Sequence, residues 1–377
     1  MRIPHYAESS PTGRKPVGGE GRRVQRSQRR ARAAKGGNTM SAMRSYAPNW
    51  GSVAALGFAL LGGTAAHANE TVTLKMVGAW APEVSPYAAV GHKFKDLVNE
   101  LSGGKIVVQY MGAEDVLPPF DQPEALVNGV FDIWYGAPNY WAGIVPGGYV
   151  TELSKFQVAD KGPGSDLYDF MVKMYGNHGV RYLGHAAGDP GVGSHFLIAQ
   201  KEIAGLDDLA GMKLRVPPLT RYFVQSAKAE SITLPPSEIF LAMDRGTVNG
   251  FTWPIADGFA NYGWQSVSKY LIEQPMYRSG VGLDMNLDKW NSLSPENQEV
   301  VLKAVAGTQE WTRGWFAEKQ TEQLAKMKEG GMTQLELPAD KKEAWTHLAQ
   351  ESLWTYLQGV MPAEEFAEAE KLLERQK

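Results

Sequence analysis

The hydrophobic pattern changes character along the chain. Residues 51–63 (GSVAALGFALLGG) form an unbroken run of apolar and small residues. Such a run is long enough for the core of an export signal and too short to cross a bilayer as a stable helix. From residue 72 onward, β-rich runs alternate with amphipathic stretches. Residues 72–77 (VTLKMV) predict a strand. Residues 87–101 carry apolar positions at helical spacing and stop at Ser102-Gly103-Gly104, a helix C-terminal signal. Residues 105–110 (KIVVQY) predict a second strand, 123–128 a short helix closed by Gly129, and 131–135 a third strand. Strands separated by helices of this length predict parallel βαβ units.

One pattern occurs twice. ALVNGVFDIWYG at 125–136 matches AMDRGTVNGFTW at 242–253: a helix ending in Gly, then Asp132 or Asn249, then a short strand running into an aromatic. Any helix–Gly–strand joint has some of this look, but two such joints so far apart predict two similarly built lobes. In open α/β sheets the ligand crevice lies beyond the carboxyl ends of the strands. That places Tyr135, Gly136, Thr252 and Trp253 near a shared cleft.

The last third is helical. Ser294-Pro295-Glu296 combines an N-cap, a first-turn Pro and a first-turn acid. The run 295–329 would be about 52 Å long if unbroken, enough to lie across both lobes. Two shorter helices meeting near Gly314 are the alternative.

Composition sharpens the picture. Ala66-His67-Ala68 gives a signal-peptidase pattern after the apolar run and Arg44 precedes it, so cleavage is expected after Ala68. Residues 1–39 are Arg-rich, and Met40 or Met43 would be a more ordinary start; a long polar leader is the other reading. Residues 1–68 hold eleven basic and two acidic residues, so the rest of the chain carries −3 − 9 = −12. That acidic surface argues against nucleic acid or anionic lipid as a partner. No second apolar run is long enough to span a membrane, so no direct insertion of the mature chain is expected. The absence of cysteine excludes disulfides, thiolate metal sites and Cys nucleophiles.

The familiar catalytic motifs are absent: no HExxH, P-loop, EF-hand loop or GxSxG. Of the histidines, His92, His178, His185, His195 and His347 lie beyond the leader, none with paired ligand spacing, so no metal and no cofactor is expected. These residues point away from an enzyme.

Residues 206–217 (LDDLAGMKLRVP) carry the candidate chemistry. By period two, Met212, Leu214 and Val216 share one strand face, with Lys213 and Arg215 on the other. Arg215 falls at the strand's carboxyl end, where its guanidinium could hold a carboxylate through two parallel hydrogen bonds. A structural or surface ion pair is the alternative reading of the same residue. Trp80, Trp134, Tyr135, Tyr140, Trp141 and Trp253 lie along the predicted rim; most such aromatics are core, and a few could wall an apolar pocket.

Residues 206–217, coupled to LPPSEIFLAMDRGTVNG at 234–250, resemble the substrate-binding subunits of TRAP (tripartite ATP-independent periplasmic) transporters, the DctP-like family. The resemblance runs from Val72 to the C-terminal helices. It implies an α/β, two-lobed periplasmic binding protein of type II-like plan, with cross-connecting strands and a long helix spanning both lobes. Lobe I would comprise residues 69–192 plus 281–320, and lobe II 193–280 plus 321–377. It further implies a ligand trapped by closure, delivery to a membrane permease, and an Arg pairing with the ligand carboxylate, the position held by Arg215. Glu238 belongs to the shared Ser-Glu motif and is taken as a further contact. The sequence departs from the family twice: His195 stands where many members have a second Arg, and Trp253 where many have Asn. These changes favour a monocarboxylate or 2-oxo acid with an apolar or aromatic body over a C4-dicarboxylate. His195 would meet the polar end, while Trp253, Tyr135 and Trp80 would wall the rest. Some relatives use a metal beside the ligand, but no ligand set maps here. A C4-dicarboxylate-binding TRAP receptor and the binding protein of an ATP-driven importer are the competing assignments.

Overall fold

The computed structural model describes residues 71–375, except Pro190. The leader assigned to residues 1–68, with its cleavage point, lies outside the described residues. Eleven strands form two sheets among the described residues. The first contains β1 (Val72–Gly78), β2 (Ile106–Gly112), β3 (Ile133–Gly136), β4 (Val180–Ala187) and β10 (Gly280–Asn286), in the order β2-β1-β3-β10-β4. The second contains β5 (His195–Ala199), β6 (Lys213–Val216), β7 (Glu230–Thr233), β8 (Gly250–Pro254), β9 (Tyr270–Ile272) and β11 (Thr333–Leu335), in the order β11-β9-β5-β8-β6-β7.

Both sheets follow one plan. β1 lies between two parallel partners, β2 and β3, as β6 lies between β7 and β8. An antiparallel strand then follows on one side, β10 against β3 and β5 against β8. The repeated sequence joint has the same job in each. Asp132 donates its N–H to the Lys75 carbonyl and accepts the Lys75 N–H on Oδ2; Asn249 does the same with Lys213 through Oδ1. Gly129 and Gly246 take positive φ (70° and 68°) to make the turn out of helices α2 (Gln122–Val127) and α5 (Ile239–Asp244), which only glycine does cheaply.

The chain passes between the sheets twice, from β4 to β5 and, along residues 273–279, from β9 to β10. The passages are tied together where His195 N–H donates to Tyr277 O and Met276 N–H to His195 O, both at 2.9 Å. Arg278 reinforces them, donating to the carbonyls of Phe156 and Gly188.

Helices α1 (Ala88–Leu101), α3 (Asp166–Gly176) and α6 (Leu287–Asn291) cover the first sheet, and α4 (Arg221–Ser226) one face of the second. The run expected as one helix over 295–329 is two: α7 (Pro295–Trp311) and α8 (Trp315–Glu329). Gly314, at φ 76°, leaves the helical region and breaks the ladder. The run still reaches from one lobe to the other. α7 packs on α1 and β4, and α8 reaches the second sheet's side, where Gln323 accepts the Ala260 N–H at 3.0 Å. The longest helix, α9 (Ala339–Val360), is 22 residues, or about 33 Å. It stacks Tyr356 on Tyr222 at 3.7 Å and packs Trp345 on Phe223, while Met361 just past its end fills the space over Gly147. Helix α10 (Ala363–Leu372) packs back onto it. No described helix is long and apolar enough to cross a membrane.

The first sheet buries a carboxyl. Asp284 on β10 is 1% exposed, with Oδ2 accepting the Trp141 indole N–H at 2.8 Å and Oδ1 without a partner. Burial pushes it up to about 8. A carboxyl raised this far binds its proton more tightly folded than unfolded, where it titrates near about 4. Its stabilising contribution is therefore full below about pH 4 and lost as pH rises toward about 8. Melting temperature is expected to fall between pH 5 and pH 8, and to fall less in Asp284→Asn. An equal slope in the variant would show that Asp284 titrates normally.

Candidate functional site

The site grows from the carboxyl edge of the second sheet. Leu214 and Val216 of β6 face the large core cluster with Phe223 and Trp345, while Phe251 and Trp253 of β8 face a smaller one with Phe259 and Trp264. Arg215 pairs with Phe251, so it shares the face of Phe251 and Trp253. It is 0% exposed. Its Nε and Nη2 donate to the Leu234 carbonyl at 2.8 and 2.6 Å, and Nη1 to the Thr252 carbonyl at 3.4 Å. The guanidinium carbon lies 5.5 Å from the Trp253 ring centroid.

These contacts use three of the five N–H groups and leave one each on Nη1 and Nη2. No carboxylate forms an ion pair with Arg215 among the described residues. Burial lowers it to about 10, opposed by the nearby Tyr140 and Tyr262 hydroxyls, so it stays charged at neutral pH. A buried cation held only by carbonyls has given up its hydration without gaining a counter-charge.

Across the cleft, Trp80 follows β1 and is 3% exposed, its ring edge-on to Tyr87 and Tyr140 at 5.9 and 6.1 Å. Tyr140 lies in the turn after β3, and burial raises its hydroxyl well above the ordinary range while the Arg215 charge pulls it back. On the second lobe Trp253 donates its indole N–H to the Asp257 carbonyl at 2.7 Å and stands edge-on to Tyr262. Tyr262 feels both Asp257 and Arg215, and its buried hydroxyl has no hydrogen-bond partner among the described residues. The Asp257 carboxyl is fully buried; its Oδ1 accepts from the Ser85 hydroxyl and the Tyr87 N–H, tying the segment after β1 to the segment after β8. Burial pushes it up to about 7, the Ser85 and Tyr87 hydrogen bonds opposing, and Oδ2 is left without a partner.

His195 opens β5 opposite Pro254, at the edge where β6 and β8 end. Burial and then the Arg215 charge push it down to about 3, so the ring is neutral at neutral pH.

The structure thus gathers Arg215, Trp253, Trp80 and His195: the Arg215 charge acts on His195 and on Tyr140, its guanidinium lies near the Trp253 ring, and Tyr140 meets the Trp80 ring. It does not bring Tyr135 or Glu238 to this group. The Tyr135 ring turns away into the first lobe, between Gly78 and Gly91, where an added Cβ would fall 2.0 and 2.2 Å from ring atoms. Its hydroxyl donates to the Trp80 carbonyl at 2.9 Å, so it supports Trp80 from behind. Glu238 is exposed: Pro235 and Pro236 start a short turn that leaves it on the surface before α5. Trp134 and Trp141 are core, donating to Gln122 and Asp284. Tyr140 was among the rim aromatics. Tyr262, Asp257 and the Leu234 carbonyl were missed, and of these only Asp257, an acid three residues past a strand's carboxyl end, left a readable trace.

A buried arginine with no acidic partner among the described residues, set with aromatic rings between two similar sheets joined by two crossing passages, fits a two-lobed solute-binding protein. The model of the DctP family, bacterial extracellular solute-binding protein family 7, matches residues 76–358, and the chain belongs to that family, the substrate-binding subunits of TRAP transporters. A solute-binding protein of Roseobacter denitrificans is 26% identical over 304 residues, covering 78% of this chain and 90% of that protein. A monocarboxylate 2-oxoacid-binding periplasmic protein of Nostoc sp. is 26% identical over 216 residues, covering 55% and 58%. The crystal structure of a TRAP periplasmic solute-binding protein from Desulfovibrio salexigens, with bound orotic acid, shares the fold at a TM-score of 0.73, with 18% identity over 81% of this chain and 98% of that one.

Proposed function

We propose that this protein is a periplasmic receptor that captures a monocarboxylate with an apolar or aromatic body between two closing lobes and delivers it to a TRAP membrane permease, without chemical turnover. The observation that carries this is Arg215, buried with no acidic partner among the described residues and with one N–H to spare on each terminal nitrogen. A ligand carboxylate supplies the missing charge in bidentate form. The lobes would comprise 69–192 with 281–320, and 193–280 with 321–377; apart from Gly280 at the start of β10, the strands of each sheet lie in one of these sets. A leader cleaved after Ala68 would carry the chain to the periplasm.

The balance of charge favours a single carboxylate. Beside one cation the cleft holds Asp257 and the half-buried Glu114, whose charges act on Tyr262. A second ligand carboxylate would meet acids where many relatives offer another cation. The Nostoc relative, named for monocarboxylate 2-oxo acids, is consistent with this. In a thermal-shift panel, monocarboxylates with apolar or aromatic bodies are expected to raise the melting temperature and C4-dicarboxylates are not. Stabilisation by C4-dicarboxylates alone would overturn the monocarboxylate assignment.

A further inference from the structure

The turn after β1 docks on the turn after β8, and each is shaped for the other. Helix α1 has no acid in its first turn, and its N-cap residue, Tyr87, makes no side-chain capping hydrogen bond. The N–H groups of a first turn have no partner within their own helix. Here the Tyr87 N–H donates to Asp257 Oδ1 at 3.3 Å, 170 residues along the chain, and the same oxygen accepts from the Ser85 hydroxyl. Ser85, Tyr87 and Asp257 are all buried. Beside Asp257, Gly258 has a φ of 67°, and a Cβ there would fall 2.5 Å from the Val84 carbonyl oxygen and 2.6 Å from Pro86 Cδ. Only glycine lets the two turns approach this closely.

Asp257 is also tied to the arginine. Trp253 donates its indole N–H to the Asp257 main-chain carbonyl at 2.7 Å, and the Arg215 guanidinium lies 5.5 Å from the Trp253 ring centroid. The docked contact carries a cost as well as a gain. Asp257 Oδ2 is buried with no hydrogen-bond partner among the described residues. A half-satisfied buried carboxyl offsets much of what its hydrogen bonds contribute, because it regains water as soon as the turns separate. A contact balanced in this way suits a reversible latch better than a permanent brace.

We infer that Asp257 is a positioning residue that latches the two lobes, its Oδ1 capping α1 from the opposite lobe when they meet and releasing it when they part. This rests on the closing-lobe reading above and deepens it, whichever ligand is carried. Trp253 serves both the anchor and the latch, so occupancy at Arg215 and docking at Asp257 favour the same arrangement.

The chain has no cysteine, so spin labels on Glu124→Cys in α2 and Arg245→Cys just past α5, both exposed positions, report the separation of the lobes by pulsed electron resonance. In the otherwise unaltered protein a short and a long separation are expected. Asp257→Ala should lower the short-to-long ratio about tenfold or more, because it strands the Ser85 hydroxyl and the Tyr87 N–H. Ser85→Ala, which leaves the turn after β8 intact, should lower it about threefold or more. Asp257→Asn keeps the oxygen acceptor and should stay within about threefold of the unaltered ratio. An unchanged ratio in Asp257→Ala, even in a protein that melts lower, would make Asp257 a local structural residue and overturn the inference. An equal loss in Asp257→Asn would overturn it too, as would an unaltered protein that never shows the short separation. Arg215→Ala keeps the two readings apart. If it abolishes stabilisation by the carboxylate panel while Asp257→Ala leaves the ratio alone, only the latch falls. If carboxylates stabilise Arg215→Ala as before while the Asp257 and Ser85 variants shift the ratio as expected, the anchor falls and the latch stands.

Discussion

Replacing Arg215 with alanine is expected to weaken binding of the ligand carboxylate by about 2–5 kcal/mol, roughly thirtyfold to several-thousandfold. The free protein should lose far less. In the structure Arg215 is buried with no acidic partner among the described residues, and its contacts are to the carbonyls of Leu234 and Thr252. Removing it leaves those carbonyls unpaired but relieves a cation stripped of water. In the bound state the same substitution strands the ligand's negative charge in a dry, aromatic cleft. Arg215→Lys should recover only part of the affinity. One ammonium cannot satisfy Leu234, Thr252 and both carboxylate oxygens in the planar arrangement the guanidinium provides. The signature is a ligand-induced rise in melting temperature that vanishes while the unliganded melting temperature moves little. A variant that melts much lower yet binds its ligand as before would make Arg215 a structural residue.

How Arg215 could be read from sequence, and its neighbours could not, follows from what sequence encodes. Alternation along β6 put Leu214 and Val216 on one face and Arg215 on the other, and the repeated Gly–Asp/Asn joint showed where the parallel strands end. The structure gives that joint a reason, since Asp132 and Asn249 bracket Lys75 and Lys213 with the same pair of hydrogen bonds. The acceptors that hold the guanidinium are main-chain carbonyls, which every residue carries, so no residue type marked Leu234. Asp257 and Tyr262 sit in irregular chain after β8, where no periodicity operates. The break at Gly314 was visible as a glycine, but a single glycine inside a helical pattern does not state which way its φ will go.

Tyr135 was misplaced for a different reason, which has a measurable consequence. Position along β3 told correctly that it lies near a strand's carboxyl end, but not which neighbour leaves it room. That room comes from Gly78 on β1 and Gly91 on α1, each of which would collide with the ring if it carried a Cβ. Tyr135→Ala is therefore expected to cost about 3–5 kcal/mol of stability, as other buried aromatic-to-alanine changes do. Gly91→Ala should cost about 1–3 kcal/mol by overpacking, despite alanine's better helix propensity. Combined, the two should not add. With the ring gone, the new methyl enters vacant space and the helix gains about 1 kcal/mol, so Gly91→Ala should change sign in the Tyr135→Ala background. Urea denaturation of the four proteins reads this directly. Additive losses would mean that the ring does not lie over Gly91. Should Tyr135→Ala instead leave stability within about 1 kcal/mol and abolish ligand binding, the ring would belong to the cleft after all.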